Sequence, residues 1–238
     1  MIEQDSYILL DASACKHYCY HMGTDEDNVV NSAEFAFASF LERYMVPILE
    51  YAQPRQIIVA HDAGIVYRKI LYPEYKAQRI DKELTDEEKL EREQKAILGD
   101  MMKRFWAALG ITQCRVDGVE ADDLLAYLAQ NLPGKKQLFT TDGDMLQLAN
   151  DDCTVFMRGE PQTEGTHHEI PYILTSIAKS MLGDTSDNYK GISGFGPAKF
   201  QHLMAVYGVD GVLELESCVD SGKFGPLEEA IESTDDKV

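Results

Sequence analysis

Four short apolar runs, SYILLDAS, RQIIVAHDAG, ITQCRV and KQLFTT, alternate with helix-type patterns, and that alternation restricts the fold more than any other feature. Each run is rich in aliphatic or β-branched residues and is followed by a turn signal, as buried strands require. Between the first two, NSAEFAFASFLERYMVPILEYA carries apolar residues at helical spacing behind an Asn31/Ser32 cap. A longer helix follows, opened by Thr85 and Glu88 as a capping box and stopping at Gly110. VEADDLLAYLAQNL reads as a further helix closed by Pro133-Gly134, and DGDMLQLAN as a turn into a helix. The predicted fold class is α/β, with a mainly parallel central sheet flanked by helices. Sheets of this kind place their sites beyond the carboxyl ends of the strands.

From about Pro171 the pattern changes. PYILTSIAKSML is helical, GDTSDNYKGISGFG is a loop rich in glycine and aspartate, and PAKFQHLMAVYG is a helix ending at Gly208. The expected domains are therefore an α/β core over 1–170 and a two-helix region with an acidic tail over 171–238.

On this scheme the acids fall at particular places. Asp11 and Asp62 follow strands, Glu120, Asp122 and Asp123 open a helix, and Asp142 and Asp144 follow another strand. Asp184 and Asp187 stand in the loop of the last section. Carboxylates gathered at one sheet edge repel one another and push each other's pKa upward. A helix N-terminus offsets only about 0.3–1 kcal/mol of that. Hard oxygen donors in such a group select magnesium or manganese, and two such ions form a known machinery for phosphoryl hydrolysis.

The rest of the composition is consistent with this reading. A formal charge of −19 argues against a surface that grips nucleic acid everywhere, though not against a local grip. Residues 68–104 hold ten of the 22 Lys and Arg, whereas residues 209–238 hold nine acids against two lysines. The five scattered cysteines read as reduced thiols, and CKHYCYH as half-buried small residues rather than a zinc site, since no second ligand pair accompanies it. No apolar run is long enough to span a membrane, and a cytoplasmic monomer is expected. His167 and His168 lie outside every motif, and Trp106 and Tyr127 read as packing residues rather than base-stacking platforms.

LLDAS, HDAG, EYKAQR, VEADD, TTDGD, GDTSDN and GISGFG, in that order, resemble the 5′ nucleases, the family of flap endonucleases, phage 5′-3′ exonucleases and the nuclease domain of bacterial DNA polymerase I. The resemblance implies a PIN-like 5′-nuclease fold with a helical arch at about 72–97 and a C-terminal helix-hairpin-helix. It implies that Asp11, Asp62, Glu120, Asp122 and Asp123 help hold one metal ion, with Asp142, Asp144, Asp184 and Asp187 completing the metal sites. Lys76 and Arg79 would contact the scissile phosphate, so that Lys76, Arg79 and Asp142 form the catalytic set. Gly191, Ser193, Gly194, Gly196 and Lys199 would contact duplex DNA, with a potassium ion at the hairpin. Ala198 stands where the family often carries a lysine. The implied substrate is DNA with a 5′ flap, free 5′ end or nick, and the implied partner a DNA polymerase or other replication protein. A PIN-type ribonuclease or other metal-dependent nuclease, and a non-enzymatic acidic binding protein, are the competing readings.

Overall fold

The computed structural model describes residues 6–21, 32–79, 84–157, 160–163, 165–167, 169–220, 225–226 and 229–231. The chain forms two compact units, Met1–Leu71 with Asp81–Thr163, and Tyr72–Ile80 with Glu164–Val238.

In the first unit, β1 (Tyr7–Asp11), β2 (Ile57–Ala60), β3 (Thr112–Cys114) and β4 (Lys136–Thr140) are the four predicted strands. Two more, β5 (Cys153–Met157) and β6 (Glu160–Gln162), extend the sheet to the order β3-β2-β1-β4-β5-β6. All pairs are parallel except β5–β6. Leu10 of β1 lies level with Val59 of β2 and Phe139 of β4. Ile8, Leu9 and Leu10 are fully buried, because a parallel strand covered on both faces must be apolar throughout.

Among the described residues, six α-helices accompany the sheet: α1 (Ala12–His21), α2 (Ala33–Phe40), α3 (Val46–Tyr51), α4 (Val66–Leu71), α5 (Asp86–Ala108) and α6 (Ala121–Asn131). Strand-helix alternation alone does not predict α1. It forms because Asp11, the last residue of β1, turns its carboxylate back to accept the backbone N–H groups of Ser13 (2.8 Å) and Ala14 (3.0 Å), as an N-cap does. Cys15 and Cys19 of α1 are buried in the main core with Phe40, Leu98, Met102 and Trp106.

The single helix expected behind Ser32 is interrupted. Ser32 does cap α2, accepting from Phe35 N–H at 3.2 Å, but Leu41–Met45 is a π-helical turn before α3. Pro47 supplies the cause, since it cannot donate a backbone hydrogen bond and its ring crowds the carbonyl of the preceding turn. The predicted capping box of α5 is complete: Thr85 Oγ1 accepts from Glu88 N–H at 3.2 Å, and Glu88 accepts from Thr85 N–H at 2.8 Å. In place of a helix after TTDGD, Gly143–Leu148 forms a 3-10 helix.

The second unit holds a short antiparallel pair, β7 (Thr166–His167) and β8 (Ile170–Pro171). Two longer helices follow, α7 (Thr175–Leu182) and α8 (Pro197–Asp220), the latter broken at Gly208, which has φ 68° and ψ 176°. Leu174, Ile177, Phe200 and Leu203 lie in its core. The residues assigned to an arch divide here. Residues 72–79 are a turn and a 3-10 helix, 80–83 lie outside the described residues, and 86–97 are the first half of α5. His168 also lies outside the described residues, as does the side chain of His167. Among the described residues, no helix is long and apolar enough to cross a membrane.

Candidate metal and nuclease site

The strand order changes direction between β1 and β4, and the crevice beyond their carboxyl ends is where an α/β sheet opens to a ligand. Asp11 ends β1 and is only 6% exposed. Across the crevice, Thr140 Oγ1 at the end of β4 lies 3.5 Å from Asp11 Oδ2. Thr140 Oγ1 also accepts the N–H of Asp142 at 3.1 Å, which fixes the turn carrying that carboxylate. Asp142 in turn accepts the N–H of Asp144 at 2.9 Å.

After β2 the chain pairs with the loop before α6, Ala63 N–H donating to Val119 at 3.1 Å and Gly118 N–H to Ala63 at 2.9 Å. This pairing brings Asp62 to the start of α6, where its Oδ1 accepts the N–H of Ala121 at 2.9 Å. Asp62 Oδ2 accepts the Ser13 hydroxyl at 2.5 Å. Ser13 and Ala14, held by Asp11, and Ser13, bound to Asp62, thus tie the two strand-end acids together.

Glu120 is the N-cap of α6 and is buried. Its carboxylate is 3.1 Å from Arg68 Nε, and Asp123 is 2.7 Å from Arg68 Nη2. Sequence reasoning missed Arg68. The available signal was an arginine six residues after Asp62, in a helix that the strand order places beside VEADD. A planar guanidinium that forks between two carboxylates orients both. Glu120 and Asp123 are therefore both tied to Arg68, unlike Asp122 between them.

Asp122 has no such partner. Among the described residues, no side chain donates a hydrogen bond to it. Burial, followed by the charges of Asp11, Asp142, Asp62 and Glu120, pushes its carboxyl up from 3.8 to about 7. Burial likewise raises Asp11 to about 6, with Asp62 and Asp142 adding to it and the N–H donors of Ala14 and Ser13 opposing it. The first unit thus gathers Asp11, Asp62, Glu120, Asp122 and Asp142 around a deficit of positive charge that Arg68 only partly fills. A hard divalent cation fits this donor set, which offers only carboxylate oxygens.

The second unit carries the remaining predicted acids. Asp184 is held by Lys179, by the Ser186 N–H at 2.7 Å and by the Ser186 hydroxyl at 2.6 Å. Burial opposes its ionisation, but these donors prevail and hold it at about 2. Asp187 lies 3.7 Å from Lys76 Nζ, and its carbonyl accepts the Lys76 N–H at 3.1 Å. Lys76 has φ 52°, an unusual conformation for a residue with a Cβ. It is stabilised by a backbone-to-loop mesh in which Gln78 donates to the carbonyls of Thr185 (3.1 Å) and Ser186 (2.9 Å), and Asn188 to that of Glu74 (2.8 Å). EYKAQR and GDTSDN therefore form one structural piece. The side chain of Arg79 lies outside what the structure describes.

In the glycine loop, Gly191 and Gly194 differ. Gly191 has φ 66°, and a Cβ there would stand 2.4 Å from Gly183 N, so its glycine is required by the close approach of the loop's own ends. Gly194 has φ 74° with open space around it, as has Gly196 with its ordinary φ. Ser193 is exposed and Lys199 half-buried at the start of α8.

Residues 6–173 match the family described as 5′-3′ exonuclease, N-terminal resolvase-like domain. DNA polymerase I of Treponema pallidum (strain Nichols) is 30% identical over 227 residues, which cover 89% of this chain and 22% of that protein. The 5′-3′ exonuclease of Bacillus subtilis (strain 168) is 29% identical over 205 residues, 79% of this chain and 65% of its own length. The chain thus spans from about a fifth to just under two thirds of the length of these relatives. Among solved structures, a bacteriophage T5 flap endonuclease in complex with DNA and metal ions matches with a TM-score of 0.69 at 20% identity, over 96% of this chain and 87% of that one. The T5 5′-exonuclease with bound zinc gives 0.68 at 20% identity, over 97% and 89%. The fold is the one these phage proteins share.

Proposed function

Because the chain belongs to the 5′-3′ exonuclease family with an N-terminal resolvase-like domain, we propose that it is a divalent-metal-dependent 5′ nuclease acting on DNA at 5′ ends and flap junctions. The observation that carries this is the group of five carboxylates at the strand ends and the start of α6, two of them pushed up to about 6 and 7 by burial and by one another's charge.

Magnesium or manganese, when bound, would supply positive charge to the phosphodiester and raise the acidity of water. Asp11, Asp62, Glu120, Asp122 and Asp142 would hold an ion, and Asp144, Asp184 and Asp187 are assigned to further metal coordination. Three of the first group reach that task already oriented. Asp11 is fixed by two backbone donors, Asp62 by Ser13 and Ala121, and Glu120 by Arg68. Orientation of this kind lowers the reorganisation that charge development would otherwise require. Asp123 acts at one remove, by holding Arg68 against Glu120.

Lys76 and Arg79 are assigned to the charge on the phosphate. The ammonium of Lys76 is kept near Asp187 and over the ring of Tyr75, 4.7 Å from its centroid, which limits its freedom before substrate binds. Gly194, Gly196, Ser193 and Lys199 are assigned to sequence-independent contacts with the duplex backbone, with potassium at that loop. Gly191 serves that surface indirectly, by closing the loop. A DNA polymerase or another replication protein is the proposed partner, in the cytoplasm.

The test compares a 5′-labelled flap duplex with a single-stranded RNA of the same sequence, using the parent and Lys76→Ala. Release of short 5′ products from the flap, reduced about 100-fold or more in Lys76→Ala, supports the reading. Preferential cleavage of the RNA would replace it with the ribonuclease alternative.

A further inference from the structure

Gln78 lies between Lys76 and Arg79, the two basic residues of EYKAQR, and is exposed. An exposed amide can turn to water and keep its side chain free, yet this one is spent on the protein. Its Nε2 donates to the carbonyl of Thr185 at 3.1 Å and to that of Ser186 at 2.9 Å. Both carbonyls belong to the loop that carries Asp184 and Asp187, so one side chain grips that loop at two successive peptide units. The loop is the firm partner in this contact. Asp184 and Tyr189 exchange backbone hydrogen bonds, each 2.7 Å, and the Asn188 N–H donates to the Thr185 carbonyl at 3.4 Å, which closes the loop on itself.

The segment from Tyr72 to Gln78 depends on that loop for its shape. Its own turns run from the Tyr75 N–H to the Tyr72 carbonyl (3.0 Å) and from the Ala77 N–H to the Glu74 carbonyl (3.1 Å), and neither uses the N–H of Lys76. The Lys76 N–H donates to the Asp187 carbonyl at 3.1 Å instead. Lys76 also has φ 52°, which a residue with a Cβ keeps only where its surroundings over-determine it. The surroundings act from both sides. Before Lys76, the Asn188 side chain donates to the Glu74 carbonyl at 2.8 Å and the Tyr72 hydroxyl to the Asn188 carbonyl at 3.0 Å. After Lys76, the two hydrogen bonds of Gln78 supply the tie.

We propose that Gln78 is a positioning residue for the nuclease reaction: by holding the chain after Lys76 on the 184–187 loop, it fixes where the Lys76 ammonium meets the phosphate. The inference rests on the function proposed above, in which Lys76 acts on the phosphate charge. A lysine offers a point charge on a flexible four-carbon stem, so its effect depends on where its backbone stands. A misplacement of about 1 Å in such a group can cost about 100-fold in rate. Gln78 bonds to protein carbonyls rather than to substrate, so its effect falls on the rate of the chemical step and not on the binding of the flap.

The test compares the parent with Gln78→Met, which keeps the length of the side chain and loses its donors, with Lys76→Ala, and with the double variant. Cleavage of a 5′-labelled flap duplex in magnesium should show kcat lowered about tenfold in Gln78→Met with KM unchanged. Added to Lys76→Ala, the same substitution should change kcat by less than about twofold, because the group it positions is gone. The full tenfold loss on top of Lys76→Ala, or a raised KM with kcat unchanged, overturns the role. The cycle holds even if Gln78→Met lowers the unfolding midpoint, since a merely structural loss would appear in both backgrounds. A readout without catalysis is hydrogen exchange of the Lys76 amide in EDTA. Exchange about tenfold faster in Gln78→Met, at the parent's urea midpoint, supports the tie, and unchanged exchange overturns it. A parent that cleaves no flap overturns the nuclease reading and this role with it. A parent that cleaves, beside a Gln78→Met variant equally active, overturns the positioning role alone.

Discussion

Replacing Asp122 with Asn should make the metal-free protein more stable at neutral and alkaline pH while removing a metal donor. The folded protein pushes the Asp122 carboxyl from 3.8 to about 7, through burial and through Asp11, Asp142, Asp62 and Glu120. A raised acid binds its proton more tightly when folded than when unfolded. Stability therefore falls as pH climbs from the unfolded value near 4 to the folded value near 7, and the loss is complete above that. A shift of about three units corresponds to about 4 kcal/mol at most, and the partial exposure of the group reduces this to about 2–3 kcal/mol. Asn keeps the shape and drops the charge. The assay is urea unfolding in EDTA at about pH 4 and about pH 8, repeated with magnesium. The variant should match the parent at the low pH and exceed it by about 2–3 kcal/mol at the high pH. Magnesium should then stabilise the parent more than the variant, by mass action. A variant that is less stable than the parent at the high pH, or a difference that does not change with pH, would refute the picture of a charge-strained cluster.

Other substitutions probe the supporting residues. Arg68→Met should destabilise the first unit by about 1–2 kcal/mol, since it leaves Glu120 and Asp123 without their partly exposed guanidinium partner, and Arg68→Lys should recover only part of that in the same unfolding assay. Gly191→Ala should cost about 3 kcal/mol or more, because a left-handed φ and a 2.4 Å backbone clash coincide, whereas Gly194→Ala should cost only about 1 kcal/mol; limited proteolysis and urea midpoints distinguish the two. Thr85→Ala should lower stability by about 1 kcal/mol through loss of one half of the capping box, read by the same denaturation.

The parallel core was legible because its strands are apolar throughout and its turns are marked by aspartate. The same aspartates were legible as a group, since strand ends in a parallel sheet fall on one edge. What escaped was information carried between elements. α1 has no strong apolar period, and only the return of Asp11 to Ser13 and Ala14 shows why it is helical. CTVFM in β5 is bordered by polar turn residues and is short enough to pass for loop, so the sheet was read two strands too narrow. Arg68 could not be assigned from its neighbours in sequence, because its two partners lie more than fifty residues on. Gly191 was read toward a ligand, yet its freedom is first required by Gly183. Asp123 looked equivalent to Asp122 in the string EADD. One helical step turns it to Arg68, and the two acids acquire different electrostatics.

The central claim is that the strand-end carboxylates make a metal-dependent nuclease. Its most direct test is single-turnover cleavage of a 5′-labelled flap duplex by the parent and by Asp142→Asn, each with magnesium and with EDTA. The account predicts short 5′ products from the parent with magnesium alone, and a loss of about 100-fold or more in the variant at equal protein stability. Cleavage that persists in EDTA, or an Asp142→Asn protein as active as the parent, would contradict it.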